Sequence, residues 1–299
     1  MYKTHRKKTI ILTAIIVFIV SLATILSIQP RKLSSKAQQQ FQLLESSILS
    51  CIKSNNYEQA AYLGEKSINF AQNKFTPTEY HKLLILTGYS FYHLKQYNKA
   101  AAIYQRLAEK TQDMPNHQLS IYYLYKGMLL QRQGHLKKAA NALQKAVKIN
   151  DQASINRVFT VLATTYLDLH KDDEALSVLQ QKLSYTQKTY GVNSEEVAES
   201  YFWLARAYLL MKKIAKAKTI FHKCISILSK CQSDRTLVVM AYLNLADIAE
   251  IYDKDKVLAL DFLQKAFEVN SLLAQPIKEQ EQPIKSKIKK IKLELQAKP

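Results

Sequence analysis

A chain of 299 residues with only 5 Gly and 6 Pro has little material for a fold of many tight turns, and its abundant Ala, Leu, Lys and Gln are good helix formers, so the composition points to an all-α protein. The formal charge of +19 is unevenly placed: residues 1–36 carry seven Lys or Arg and no acid, residues 275–299 carry seven Lys and three Glu, and 29 basic against 21 acidic residues remain between them. A middle that is only mildly basic reads as the solvated surface of a helical body and argues against nucleic acid as the partner.

After a basic segment at 1–8, the run from Thr9 to Ile28 holds twenty residues without a charge, enough for a helix to cross a hydrocarbon layer of about 30 Å. The expectation is a transmembrane signal anchor over 9–28, with the lipid bilayer as one partner. The apolar run continues past the small-x-small site Ser21-Leu22-Ala23, which favours a retained anchor over a cleaved signal peptide. Lys3, Arg6, Lys7 and Lys8 precede the run and Arg31, Lys32 and Lys36 follow it. This small positive-inside bias puts the N-terminus of a single-pass protein in the cytoplasm and the remaining chain on the opposite side. Residues 29–40 read as a linker.

From residue 41 to 274 a helical pattern recurs at a period between 36 and 42 residues, giving six units that start near 41, 81, 120, 156, 198 and 239. Each unit sets a small residue four positions before its partner: Ala60 with Gly64, Ala100 with Tyr104, Ala139 with Leu143, Ala175 with Leu179, Ala217 with Phe221, and Ala259 with Leu263. About twelve residues earlier stands a second small residue, Gly88, Gly127, Ala163, Ala205 or Ala246, whereas the first unit has Ile48 there. Two antiparallel helices approach closely only where side chains are small, so each unit is expected to be a helical hairpin.

These residues resemble the tetratricopeptide repeat, with Tyr123, Gly127, Leu130, Gly134, Ala139, Leu143 and Ala146 following its pattern in the third unit. The stretch Thr189 to Ala217 is similar to the longer repeats of kinesin light chains, with Asn193 or Ser194 placed to cap a helix and Glu195 and Glu196 in its first turn. The resemblance implies an all-α, right-handed superhelical solenoid of antiparallel hairpins after one N-terminal transmembrane helix. Ile48, Gly64, Lys182 and the Asp253–Lys256 insertion depart from the repeat pattern. Residues 275–299 place Ile284, Ile288, Ile291 and Leu295 on one helical face, either as a basic capping helix or as a basic amphipathic tail that touches anionic lipid.

No phosphate-binding glycine loop, HExxH, nucleophile elbow or close-set carboxylate pair occurs, so no enzymatic activity and no cofactor are expected. Cys51, Cys224 and Cys231 form no CxxC and read as small buried thiols, without a metal site. The resemblance instead implies a membrane-anchored interaction scaffold whose concave groove, lined by the first helix of each hairpin, docks another protein or peptide. By position the groove residues are Tyr89, Tyr92, His93, Met128, Arg132, Arg157, Phe202 and Arg206, with Leu124, Gln131, Thr160 and Thr164 beside them. The carboxylate clamp of the family's chaperone-binding members is missing, because its Asn-type positions hold Leu49, Tyr89 and Met128. A regulatory or quality-control peptide-binding module is the alternative, and a basic nucleic-acid surface is a more distant one.

Overall fold

The computed structural model describes residues 33–71, 74–231, 235–273 and 277–297. Their regular elements are all helical: α1 (Leu33–Lys53), α2 (Tyr57–Ala71), α3 (Pro77–His93), α4 (Tyr97–Ala108), α5 (Asn116–Arg132), α6 (Leu136–Ile149), α7 (Ile155–Asp168), α8 (Asp172–Tyr190), α9 (Glu195–Leu210), α10 (Ile214–Leu228), α11 (Thr236–Ile248), α12 (Lys256–Ser271) and α13 (Lys278–Gln296). The chain divides into two compact units, 1–129 and 130–299, with the boundary inside α5.

The first unit stacks the hairpins α1/α2 and α3/α4, and the N-terminal part of α5 lies on them through Tyr122 and Gln118, whose amide donates to the Thr78 carbonyl at 3.1 Å. Thr76 starts α3 with a reciprocal cap: its hydroxyl accepts from the Glu79 N–H at 3.3 Å while the Glu79 carboxylate accepts from the Thr76 N–H at 3.0 Å, and Pro77 follows at the first helical position. The second unit pairs α7 with α8, α9 with α10 and α11 with α12, and closes on α13. Ser194 caps α9 by accepting from the Val197 N–H at 3.3 Å, ahead of Glu195 and Glu196. Ile284 and Ile291 of α13 are buried, and Lys287 reaches Glu250 at 2.9 Å, tying α13 to the preceding hairpin.

One backbone device builds every hairpin. Asn55, Lys95, Gly134, His170, Lys212 and Lys254 all have positive φ and sit where the first helix ends. In five of the six the following N–H returns to the carbonyl five residues back, as from Gln96 to Phe91 and from Lys213 to Tyr208, which satisfies the helix end and turns the chain. The sixth turn absorbs the extra residue as a single π-helical turn over Ala249–Asp253, so the bond from Asp255 reaches Ala249, and the Asp255 side chain then caps α12.

Close packing follows from the small residues. Ala60, Ala100, Ala139, Ala175, Ala217 and Ala259 are all fully buried, as are Ala205 and Ala246. A Cβ on Gly64 would collide with the Thr87 side chain, and one on Gly88 would lie 2.7 Å from the Tyr104 ring, so at both glycines a side chain of a neighbouring helix sits directly against the backbone.

The expected transmembrane helix needs correction. Among the described residues no helix is long and apolar enough to cross a membrane, and the span expected at 9–28 lies outside them. The longest described helices, α1, α8 and α13, each carry at least three charged residues, which a hydrocarbon layer would exclude. The fold described is therefore all-α hairpins without a membrane-spanning element. The expectations that hung on that element, a single-pass membrane location, a cytoplasmic N-terminus and the bilayer as partner, lose their support with it.

Candidate functional site

In the first unit, Tyr89, Tyr92 and His93 leave α3 on its exposed side because Leu84, Gly88 and Phe91 occupy the buried side. His93 stacks on Tyr57 with ring centroids 4.4 Å apart, and Tyr89 meets the His93 edge at 4.3 Å. Tyr125 of α5 joins Tyr89 at 4.8 Å, and Tyr92 packs on Tyr97 at 5.9 Å. All six rings are only partly buried. Such a cluster presents a rigid apolar face with polar tips, at little cost in side-chain entropy.

In the second unit, α7 and α9 lie on either side of a hollow of about 30 Å³ lined by Thr160, Ala163, Thr164, Leu167, Trp203 and Arg206, among others. The Arg206 guanidinium lies over the Trp203 ring, 5.1 Å from its centroid, and burial lowers its pKa from the ordinary arginine value. Below it, Lys182 of α8 is fully buried and donates to the Thr160 hydroxyl at 2.7 Å and to the Glu199 carboxylate at 2.8 Å. Burial is the largest influence on Lys182 and lowers its pKa, with Glu199 acting in the opposite direction. The Trp203 indole N–H donates to the same Glu199 oxygen at 3.1 Å, so one carboxylate fixes both the lysine and the ring on which Arg206 rests. Gln131 donates to Thr164 at 3.3 Å and to Asp168 at 2.9 Å.

The expected groove residues fall into four groups. Tyr89, Tyr92 and His93 come together in the first unit, and Arg206 lines the hollow of the second. Arg132 and Arg157 are exposed. Phe202 is fully buried against Phe221, at 5.9 Å between centroids, and Met128 is 8 % exposed, so these two side chains belong to packing and offer no surface. Position counting misplaced Phe202 because the face of α9 that meets α7 passes through Trp203 and Arg206, three residues apart. Trp203, the only tryptophan in the sequence, and the buried Lys182 were the available signals. Among the described residues no cluster of His, Cys, Asp or Glu could hold a metal ion, and burial pushes the Cys224 thiol up to about 12.

Models of the tetratricopeptide repeat family match residues 83–110, 121–152 and 198–228. No curated protein matches the chain. Among solved structures, it is similar to BtubC (BKLC) from P. vanneervenii at 19 % identity, covering 76 % of this chain and 91 % of that one with a TM-score of 0.55. It is also similar to the TPR-like repeats of a putative kinesin light chain from Podosopora anserina, at 16 % identity, 64 % and 96 % coverage and a TM-score of 0.55. The quorum sensor NprR from B. thuringiensis aligns at 12 % identity over 87 % of this chain and 72 % of that one, with a TM-score of 0.56, and NprR in complex with its cognate peptide NprX aligns at a TM-score of 0.50. At these identities the likeness is one of fold.

Proposed function

Since the chain is a tetratricopeptide-repeat protein, we propose that it works as a protein-interaction module that docks a segment of another protein on the first helices of its hairpins, by side-chain contact and without a reaction. The observation that carries this reading is the partly exposed ring cluster of Tyr57, Tyr89, Tyr92, His93 and Tyr125. Aromatic surface of this kind is enriched where proteins bind one another, because a ring contributes a large contact area for few frozen torsions. In the second unit, described by itself, exposed Arg132 and Arg157 put positive charge on the surface, which favours segments that carry acidic as well as apolar residues. NprR, whose repeats fold similarly, has been solved with a cognate peptide, and that binding supports the same use of the fold here.

The test compares Tyr89→Ala and Tyr92→Ala with Lys145→Ala, an exposed residue of α6, against an array of apolar-acidic peptides. Removing a ring at a true anchor costs about 2 kcal/mol, roughly thirtyfold in Kd. Ring variants that bind like wild type while remaining fully helical would move the interaction to another face and refute this assignment.

A further inference from the structure

We propose that the hollow between α7 and α9 is a carboxylate subsite, in which Arg206, held on Trp203, takes the side chain of an internal Asp or Glu from an extended, apolar-flanked peptide; this deepens the peptide-docking reading and rests on it. Among the described residues Arg206 makes ring contacts with Trp203 and Phe202 and no hydrogen bond or ion pair. Every other polar group around it is engaged. The Thr160 hydroxyl donates to the Asn156 carbonyl at 3.1 Å and accepts from Lys182. The Thr164 hydroxyl donates to the Val161 carbonyl at 3.0 Å and accepts from Gln131. Glu199 already serves Lys182 and Trp203, and it stands seven residues from Arg206 on α9, about 10 Å along the axis.

Among the described residues that line the hollow, Arg206 is therefore a cation without an acid, and it is half-buried. A guanidinium stacked on a ring is pre-organised, offers two parallel N–H donors, and in a partly desolvated cleft attracts a carboxylate more strongly than an exposed arginine does. The hollow of about 30 Å³ has room for one small group. Its flanks are apolar on both helices, Leu167 on α7 and Leu210 on α9, and Leu210 is 64 % exposed. One acidic side chain with apolar neighbours on either side matches that arrangement. A free chain end would place apolar residues on one flank alone.

The experiment uses the full chain and two libraries of acetylated, amidated nonapeptides, randomised over apolar residues around a central Glu or its isostere Gln. Binding is read by calorimetry and by Trp203 emission, which reports the subsite because the chain has no other tryptophan. Glu peptides are expected to bind about tenfold tighter than their Gln counterparts or better, to shift Trp203 emission saturably, and to lose that advantage as salt is raised. Arg206→Met keeps the stem over Trp203 and removes the fork, so it should abolish the Glu preference; Arg206→Lys should retain part of it. Equal binding of Glu and Gln peptides to wild type, or a Glu preference that survives Arg206→Met, overturns the subsite and leaves peptide docking standing. Tighter binding of a Gln peptide with a free carboxyl end also overturns it in favour of a terminal carboxylate. Failure of both libraries to bind at all overturns the docking reading and the subsite together.

Discussion

Replacing Glu199 with leucine strands the ammonium of Lys182, which is fully buried and keeps only the Thr160 hydroxyl as a partner. Breaking a buried pair from one side costs about 3–5 kcal/mol, because the remaining charge is uncompensated. The lysine can escape by releasing its proton, and this sets a ceiling on the cost. From its ordinary value of 10.5 down to pH 7, deprotonation costs roughly 5 kcal/mol at about 1.4 kcal/mol per unit, and at pH 9 only roughly 2 kcal/mol. The sign follows from linkage. Lys182 has a lowered pKa in the folded state, so between that value and 10.5 the unfolded chain binds more protons and stability rises with pH. The Glu199→Leu deficit should therefore be about 3–4 kcal/mol at pH 7 and no more than about 2 kcal/mol at pH 9. Lys182→Met combined with Glu199→Leu should recover most of the loss, since removing both charges removes the stranded one. Urea unfolding followed by Trp203 fluorescence, which samples the second unit locally, measures each variant at both pH values. A deficit that is independent of pH, or a double variant no more stable than Glu199→Leu, would falsify the account of Lys182 as a buried cation held by one acid.

Three further outcomes follow from the hairpin geometry. Gly88→Ala should lower stability by about 1–3 kcal/mol despite alanine's better helix propensity, because its Cβ would meet the buried Tyr104 ring at 2.7 Å; thermal unfolding by circular dichroism at 222 nm checks the sign. Lys95→Gly and Lys212→Gly should each raise stability by about 1 kcal/mol, since both lysines are exposed and hold positive φ that glycine adopts without strain; a loss in both would show that the turn is not under strain. Ala139→Leu should overpack a fully buried position and cost about 1–3 kcal/mol, whereas the same change at exposed Lys145 should lie within about 0.5 kcal/mol of wild type.

The repeat could be read from the chain because its physical cause is local. Close approach of two helices needs a missing side chain, and the buried alanines with Gly64 and Gly88 record that need at a fixed offset within each hairpin. Gly64 looked like a departure from the pattern, yet it is the residue on which Thr87 sits. The turns were legible only through their spacing. Their left-handed position holds Asn55, Lys95, Gly134, His170, Lys212 and Lys254, so three of the six turns, at Lys95, Lys212 and Lys254, meet a conformational demand with a residue type that does not announce it. Strain there is small compared with the packing that the turn permits, and composition is left free to drift.

The candidate site was less legible because it depends on which side of a first helix faces its neighbour. Counting along α9 offered Phe202 and Arg206 as one face, four residues apart, but the helix turns Phe202 fully into the core and leaves Trp203 and Arg206 half-buried beside the hollow. Lys182 breaks the apolar pattern of a second helix and so looked like a flaw in the fourth hairpin. Its burial explains the break: the ammonium passes under α7 and α9, holds Glu199, and through Glu199 holds the indole beneath Arg206. A single repeat carries no trace of that chain of contacts, because it joins residues of three helices from two successive hairpins. What the sequence does carry is the anomaly itself, a lysine where packing calls for an apolar residue. In a repeat array such an anomaly marks the place where the uniform pattern has been exchanged for a specific polar arrangement.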